Sequence, residues 1–301
     1  MTKRSYCLFI LCCLSLSPLA SPLDVMAQNR QKRGPALPKA QFQTRSPRYL
    51  PDGRQGAAGY GSQITTPGLH LTGGENRTKA TAAKPYNPGE PTLRMALVRW
   101  TADKMPLRVW ISPGIELPKL PFAQLQQQRV DEVFQRLQSE DPFGDCNVAK
   151  GWEEQTNYQV AAGIEQWRQF EHEGLIKFGF TEDPREAQVL VFFTDSFPDS
   201  GGPGGLNVGG NTCAQLFTPA QTQLPNYRQK PVVIELSTMI NHTPERMIGA
   251  TAHEFGHALG IKEHSPYRDD IMYVDRIVTS LSAGDKATFR LLYKTKPQYV
   301  M

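Results

Sequence analysis

The chain has 301 residues, 39% of them hydrophobic and 21% charged, with a formal net charge of +4. That length allows one domain with a sizeable core and a further region beside it. Residues 28–90 carry ten Lys/Arg against three Asp/Glu, whereas residues 91–301 carry 21 against 25, so the part expected to fold is mildly acidic and lacks the clustered basic face of a nucleic-acid binder.

Lys3 and Arg4 precede an apolar run at 6–16, which falls short of the ~20 residues a membrane-spanning helix needs. With Val25-Met26-Ala27 at its end, the segment 1–27 reads as a secretory signal cleaved after Ala27, an uncleaved anchor being the alternative. No later stretch approaches membrane-spanning length, so no stable membrane insertion is expected once the signal is cleaved. Export would leave Cys146 and Cys213 as the cysteines of the mature chain, as a disulfide or as two thiols.

Residues 28–90 are rich in Pro, Gly, Thr, Gln and basic residues, with little apolar periodicity. Such a segment buries too little surface to offset its ordering entropy, and it is expected to be a disordered tail, spacer or propeptide. The folded domain is expected over 91–301. Residues 107–112 alternate as a strand ending at Pro113-Gly114. Residues 122–137 carry Leu125, Val130, Val133, Phe134 and Leu137 at helical spacing, and 158–170 carry Val160, Ile164 and Trp167. Further strands are expected at 175–180, 189–193 and 232–236, the middle one apolar throughout and hence internal to a sheet. Gly-rich 200–211 reads as a loop, and with Asp195 and Asp199 just before it could bind calcium, against the plainer reading of a solvated acidic loop. Trp100, Trp110, Trp152 and Trp167 read as core. This order of elements predicts an α/β (α+β) domain, a mixed twisted sheet of about five strands with helices packed on it.

The chemistry is concentrated after 243. Thr243 suits an N-cap and Pro244 the first helical position, Glu245 adds favourable charge in the first turn, and Gly260 supplies a stop. On this helix stands His253-Glu254-Phe255-Gly256-His257. Two histidines four residues apart point the same way and can share one metal, and Glu254 beside them can act on a water without ligating the metal. That is the arrangement of a zinc hydrolase, in which the metal acidifies water and a carboxylate takes the proton. The turn at Gly260 lets the chain double back so that a third histidine can meet the same metal.

The segment from His253 to Tyr273 resembles the metzincin zinc proteases, and within them the matrixins, whose helix reads nearly His-Glu-Phe-Gly-His-Ala-Leu-Gly. The resemblance implies His253, His257 and His264 as ligands of one catalytic Zn2+, Glu254 as general base, Gly260 as the turn glycine and Met272 as the methionine of a Met-turn. It also implies a closing helix in the stretch containing Leu281-Ser282-Ala283-Gly284-Asp285 and Leu291-Leu292-Tyr293. The family places its third ligand three residues after the glycine, where this chain has Glu263. The pair His264-Ser265 and the interval to Met272 favour His264, with one inserted residue; Glu263 is the alternative ligand. Tyr273 is expected to pack or to line a pocket, without touching the metal. No cysteine in 28–90 could silence such a site. The expected protein is a secreted, monomeric zinc endopeptidase acting on extended polypeptides, the alternative being an exported zinc-binding or adhesion module that cleaves nothing.

Overall fold

Residues that are apolar without alternation must be buried on both faces, and Val189–Thr194 is the clearest such run. The structure, a computed structural model, describes residues 75–79, 81, 83–200, 208–275 and 278–301. The expected signal at 1–27 and the greater part of the expected tail lie outside these residues. The strands are β1 (Val98–Arg99), β2 (Leu107–Glu116), β3 (Asn147–Val148), β4 (Phe178–Phe180), β5 (Val189–Thr194), β6 (Gly210–Cys213), β7 (Val232–Ser237) and β8 (Tyr299–Val300). The α-helices are α1 (Phe122–Arg136), α2 (Glu154–Glu165), α3 (Pro244–Ala258) and α4 (Ala283–Lys294).

The main sheet runs β3-β2-β5-β7-β6, with β4 also on β2. Strands β4, β2, β5 and β7 are mutually parallel, and β3 and β6 are antiparallel to their neighbours. β1 and β8 form a separate parallel pair. The mixed sheet with helices on it is as the sequence predicts.

The two faces of the sheet follow the pleat. Val189, Val191 and Phe193 of β5 join Val232, Ile234 and Leu236 of β7 in a core shared with α2 and α3, through Val160, Ile164, Ala252 and Phe255. Leu190, Phe192 and Val233 face the other way, with Trp110 and with Val133 of α1. The sheet is therefore the middle of three layers. Trp100 and Trp167 are fully buried, and each donates its indole N–H to a carbonyl of α3, Trp100 to Ala258 at 2.8 Å and Trp167 to Ala252 at 3.0 Å. A buried indole N–H requires a partner, and these two bonds fix the depth at which α3 sits.

Several boundaries move. β2 continues past the expected end at Pro113 because its register against β5 shifts between Ile111 and Glu116, an irregularity of the kind that accommodates a proline in a strand. The second helix starts earlier, at Glu154, and ends in 3₁₀ turns at Gln166–Phe170. In 175–180 only Phe178–Phe180 pairs. Packing also begins before Pro91. Glu75 bridges to Tyr267, and Tyr86 is buried, with its N–H on Thr288 and its hydroxyl on Asp285, both at 3.0 Å. Composition misreads 75–90 because Tyr86 is its buried aromatic anchor and its other anchoring contacts are polar. Cys146 and Cys213 are free thiols in separate clusters, so the bridge does not form. Among the described residues no helix is long and apolar enough to cross a membrane.

Candidate metal centre

Helix α3 is built as its sequence dictates. The Thr243 hydroxyl accepts the Arg246 N–H, and Pro244 opens the first turn. At the other end Gly260 has φ +112° and closes a Schellman arrangement: its N–H bonds His257 O, and the Ile261 N–H bonds Gly256 O, both at 3.0 Å. This conformation favours glycine. A Cβ here would also collide with the Val98 carbonyl, so any other residue at 260 is excluded twice.

His253 and His257 project from one face, and His264 returns from the loop after Gly260. The ring centroids are 4.7 Å apart for His253–His257, 5.2 Å for His253–His264 and 5.0 Å for His257–His264. One ligand atom from each ring lies within 4.8 Å of the others. Among the described residues this is the one group of three or more His, Cys, Asp or Glu so disposed.

The orientation of two rings is set by backbone. His253 Nδ1 lies 2.7 Å from Ile271 O, and His257 Nδ1 lies 2.6 Å from Ile261 O. A carbonyl only accepts, so both Nδ1 atoms carry the proton and the Nε2 atoms present lone pairs in the neutral rings. Those two Nε2 atoms are 3.1 Å apart. Two acceptors that close repel each other, and a cation between the three rings relieves the repulsion. The donor set thus fits a metal ion of the kind imidazole binds. The third member is His264. Glu263 is not in the group, and its carboxylate accepts the His264 backbone N–H at 2.8 Å.

Glu254 is buried on the same helix, one residue from His253. Its Oε2 accepts from the Thr212 hydroxyl at 2.8 Å, and the same hydroxyl reaches Glu254 O at 3.1 Å. Gly210 makes room: a Cβ there would lie 2.6 Å from Glu254 Oε1. Strand β6 therefore grips this carboxylate, and among the described strands β6 pairs only with β7, which makes it a sheet edge.

Beneath the histidines, Met272 is fully buried against Gly256 and its carbonyl accepts the Ser265 N–H at 2.8 Å. Asp285 holds this turn from α4, accepting from the Ile271 and Ser282 N–H groups at 2.8 Å each. Burial pushes the Asp285 carboxyl above its ordinary range, with nearby Asp270 adding to the shift and these N–H bonds opposing it. Burial likewise pushes the Tyr86 phenol well up.

The remaining sequence candidates lie elsewhere. His172 and His242 are exposed and outside the group, and His70 lies outside the described residues. Asp195 is engaged by the Lys119 ammonium and by Ser196 Oγ. Tyr273 is buried, at 9% exposure. The sequence reading missed Thr212, Asp270, Asp285 and Arg77. Of these only Asp285 has a local signal, since Ser282 and Asp285 form a reciprocal cap at the start of α4. Compared with protein-family models and with curated proteins, the sequence matches none.

Proposed function

We propose that the chain is a zinc-dependent endopeptidase of metzincin, matrixin-like type, exported by its N-terminal signal and acting as a monomer on extended polypeptides, without nucleic acid or membrane partners. The observation that carries this reading is the convergence of His253 and His257 of α3 with His264 of the following loop, with Glu254 on the same helix and β6 last in the strand order of the sheet. A zinc ion held by the three histidines would supply a Lewis acid for the scissile carbonyl and an acidified water.

The chain's own residues would do the rest. The Thr212 hydroxyl on Oε2 keeps Glu254 in one rotamer, so that Oε1 can take the proton from the attacking water and hand it to the leaving amine. Neutral imidazoles leave the cation its full charge. A substrate strand lying along β6 would have its backbone groups satisfied by sheet extension, which gives affinity with little demand on side chains.

The test is to incubate the purified chain with an unfolded protein, alone, with chelator, and after zinc is restored. Cleavage that disappears with chelator and returns with zinc is expected. Zinc bound without cleavage would instead favour the exported zinc-binding or adhesion module.

A further inference from the structure

The segment 75–90 ends against the least expected part of the molecule, the turn behind the histidines. Arg77 Nε and Nη2 donate to Asp270 Oδ1 and Oδ2, both at 2.7 Å, a fork-to-fork pair. Its side chain is 5% exposed and that of Asp270 0%. The remaining nitrogen, Nη1, donates to Thr81 O and, at 2.8 Å, to Lys84 O, which ties the guanidinium into its own segment. The guanidinium also lies over the Tyr267 ring, 4.2 Å from its centroid. It fills a notch that α4 leaves at Gly284, where a Cβ would overlap it. The Arg77 backbone N–H donates to Asp269 Oδ2 at 3.0 Å, and the Arg268 N–H donates to Glu75 O at 3.0 Å.

Asp270 also accepts from Ser265 Oγ and Ser282 Oγ, both at 2.5 Å. Ser265 is next to His264 in the chain. Ile271, next to Asp270, supplies the carbonyl that orients His253. One buried carboxylate therefore adjoins both the loop that delivers His264 and the carbonyl that sets His253. With Arg77 absent, that carboxylate would be a buried charge left, among the described residues, with the Ser265 and Ser282 hydroxyls, close to a second buried carboxyl on Asp285, and the turn would have to move to reach water.

We propose that Arg77 is a positioning residue of the metal centre: it neutralises and aligns Asp270, and so holds segment 265–272 in the geometry that lets His253 and His264 share one ion. The proposal rests on the metal-site reading above and goes beyond it, because it makes the segment before the main domain part of the site.

The experiment uses the full chain and Arg77→Ala, Arg77→Lys and the pair Arg77→Met with Asp270→Leu. Zinc affinity is measured by competition with a chelator, and amide exchange of Ile271 and Met272 is followed in the metal-free chain. Arg77→Ala is expected to weaken zinc binding by roughly 10–100-fold, the usual effect of losing a group that orients ligands, and to speed exchange at both amides. Arg77→Lys keeps the charge but loses the fork and is expected to fall between. Millimolar ethylguanidine should restore part of the affinity of Arg77→Ala by refilling the notch. The double variant is expected to bind zinc better than Arg77→Ala.

Zinc affinity within twofold of wild type in Arg77→Ala, or in Arg77→Lys should the alanine variant not fold, overturns the proposal. A wild-type chain that binds no zinc overturns the metal-site reading instead. In that case the exchange measurement alone decides the role of Arg77, with unchanged exchange in Arg77→Ala or Arg77→Lys counting against it.

Discussion

The two flanks of helix α3 support different chemistry by different means. On one flank, His253 and His257 are oriented by carbonyls of the following loop, at Ile271 and Ile261. That loop is in turn held by two buried carboxylates, its own Asp270, bonded by Arg77 of 75–90 and by Ser282 at the cap of α4, and Asp285 of α4, which accepts the Ile271 N–H. On the other flank, Glu254 is held by the hydroxyl of Thr212 on a regular strand. The placement of the histidines and that of the carboxylate thus have separate supports. Metal binding and turnover should therefore be separable by mutation.

The largest effect is expected on the loop flank. His264→Ala removes a donor of the metal group, and should weaken zinc binding by more than the ~10–100-fold typical of residues behind the ligands. Turnover should vanish with the metal. Glu263→Ala should retain both, since that carboxylate only caps the His264 N–H. Zinc titration of the two variants side by side decides it, and the reverse pattern would mean a site of two histidines and one carboxylate.

On the strand flank, Glu254→Gln should leave zinc affinity unchanged and lower peptide turnover by at least ~10²-fold, the usual worth of a positioned general base. Loss of zinc in this variant would erase the distinction between the flanks. A smaller change sharpens it. Thr212→Val keeps the shape of the side chain and removes the hydroxyl from Glu254 Oε2. A hydrogen bond to a charged group contributes about 1.5–3 kcal/mol, so turnover should fall by roughly ten- to 100-fold, with zinc affinity intact. A Thr212→Val chain that loses zinc would show that the two supports are mechanically one.

The asymmetry also accounts for what was legible in the sequence. Helix α3 was readable to its ends, because its cap, first-turn proline, ligand spacing and stop glycine are all local. His264 was readable as the third member of the group through the pair His264-Ser265 and the interval to Met272. The parts that hold these groups were not, because their contacts cross the chain. Arg77 and Asp270 are 193 residues apart, and Thr212 and Glu254 are 42 apart. Segment 75–90 is the sharpest case. Its composition is that of an unstructured tail, yet it contributes a buried fork of charge, which no hydrophobic pattern reveals. The short strands β1, β3 and β8 were missed for a related reason, as two-residue pairings carry no periodicity.

The smallest expected effect concerns the thiols and tests whether the strand flank needs a covalent tether. Cys213 closes β6 and is fully buried, and burial pushes its thiol up to about 12. Its sulfur accepts the Asn211 side-chain N–H at 3.0 Å. At pH 8 such a thiol is a nucleophilic thiolate only to about one part in 10⁴, and alkylating reagents have no access to it. Cys146 is half-buried; burial raises its thiol too, with the Arg136 guanidinium opposing the shift. Iodoacetamide at pH 8 should therefore modify Cys146 slowly in the native chain, and Cys213 only after denaturant is added, with no reductant needed for either. Peptide mapping reads both sites. Native turnover should change by less than about twofold on Cys146 modification, because that residue packs with Trp110 and Phe143, in the cluster on the sheet face opposite α3. If neither cysteine takes up label in denaturant without reductant, the two are joined. The edge strand that grips Glu254 would then be anchored covalently and the flank would no longer depend on side-chain contacts alone.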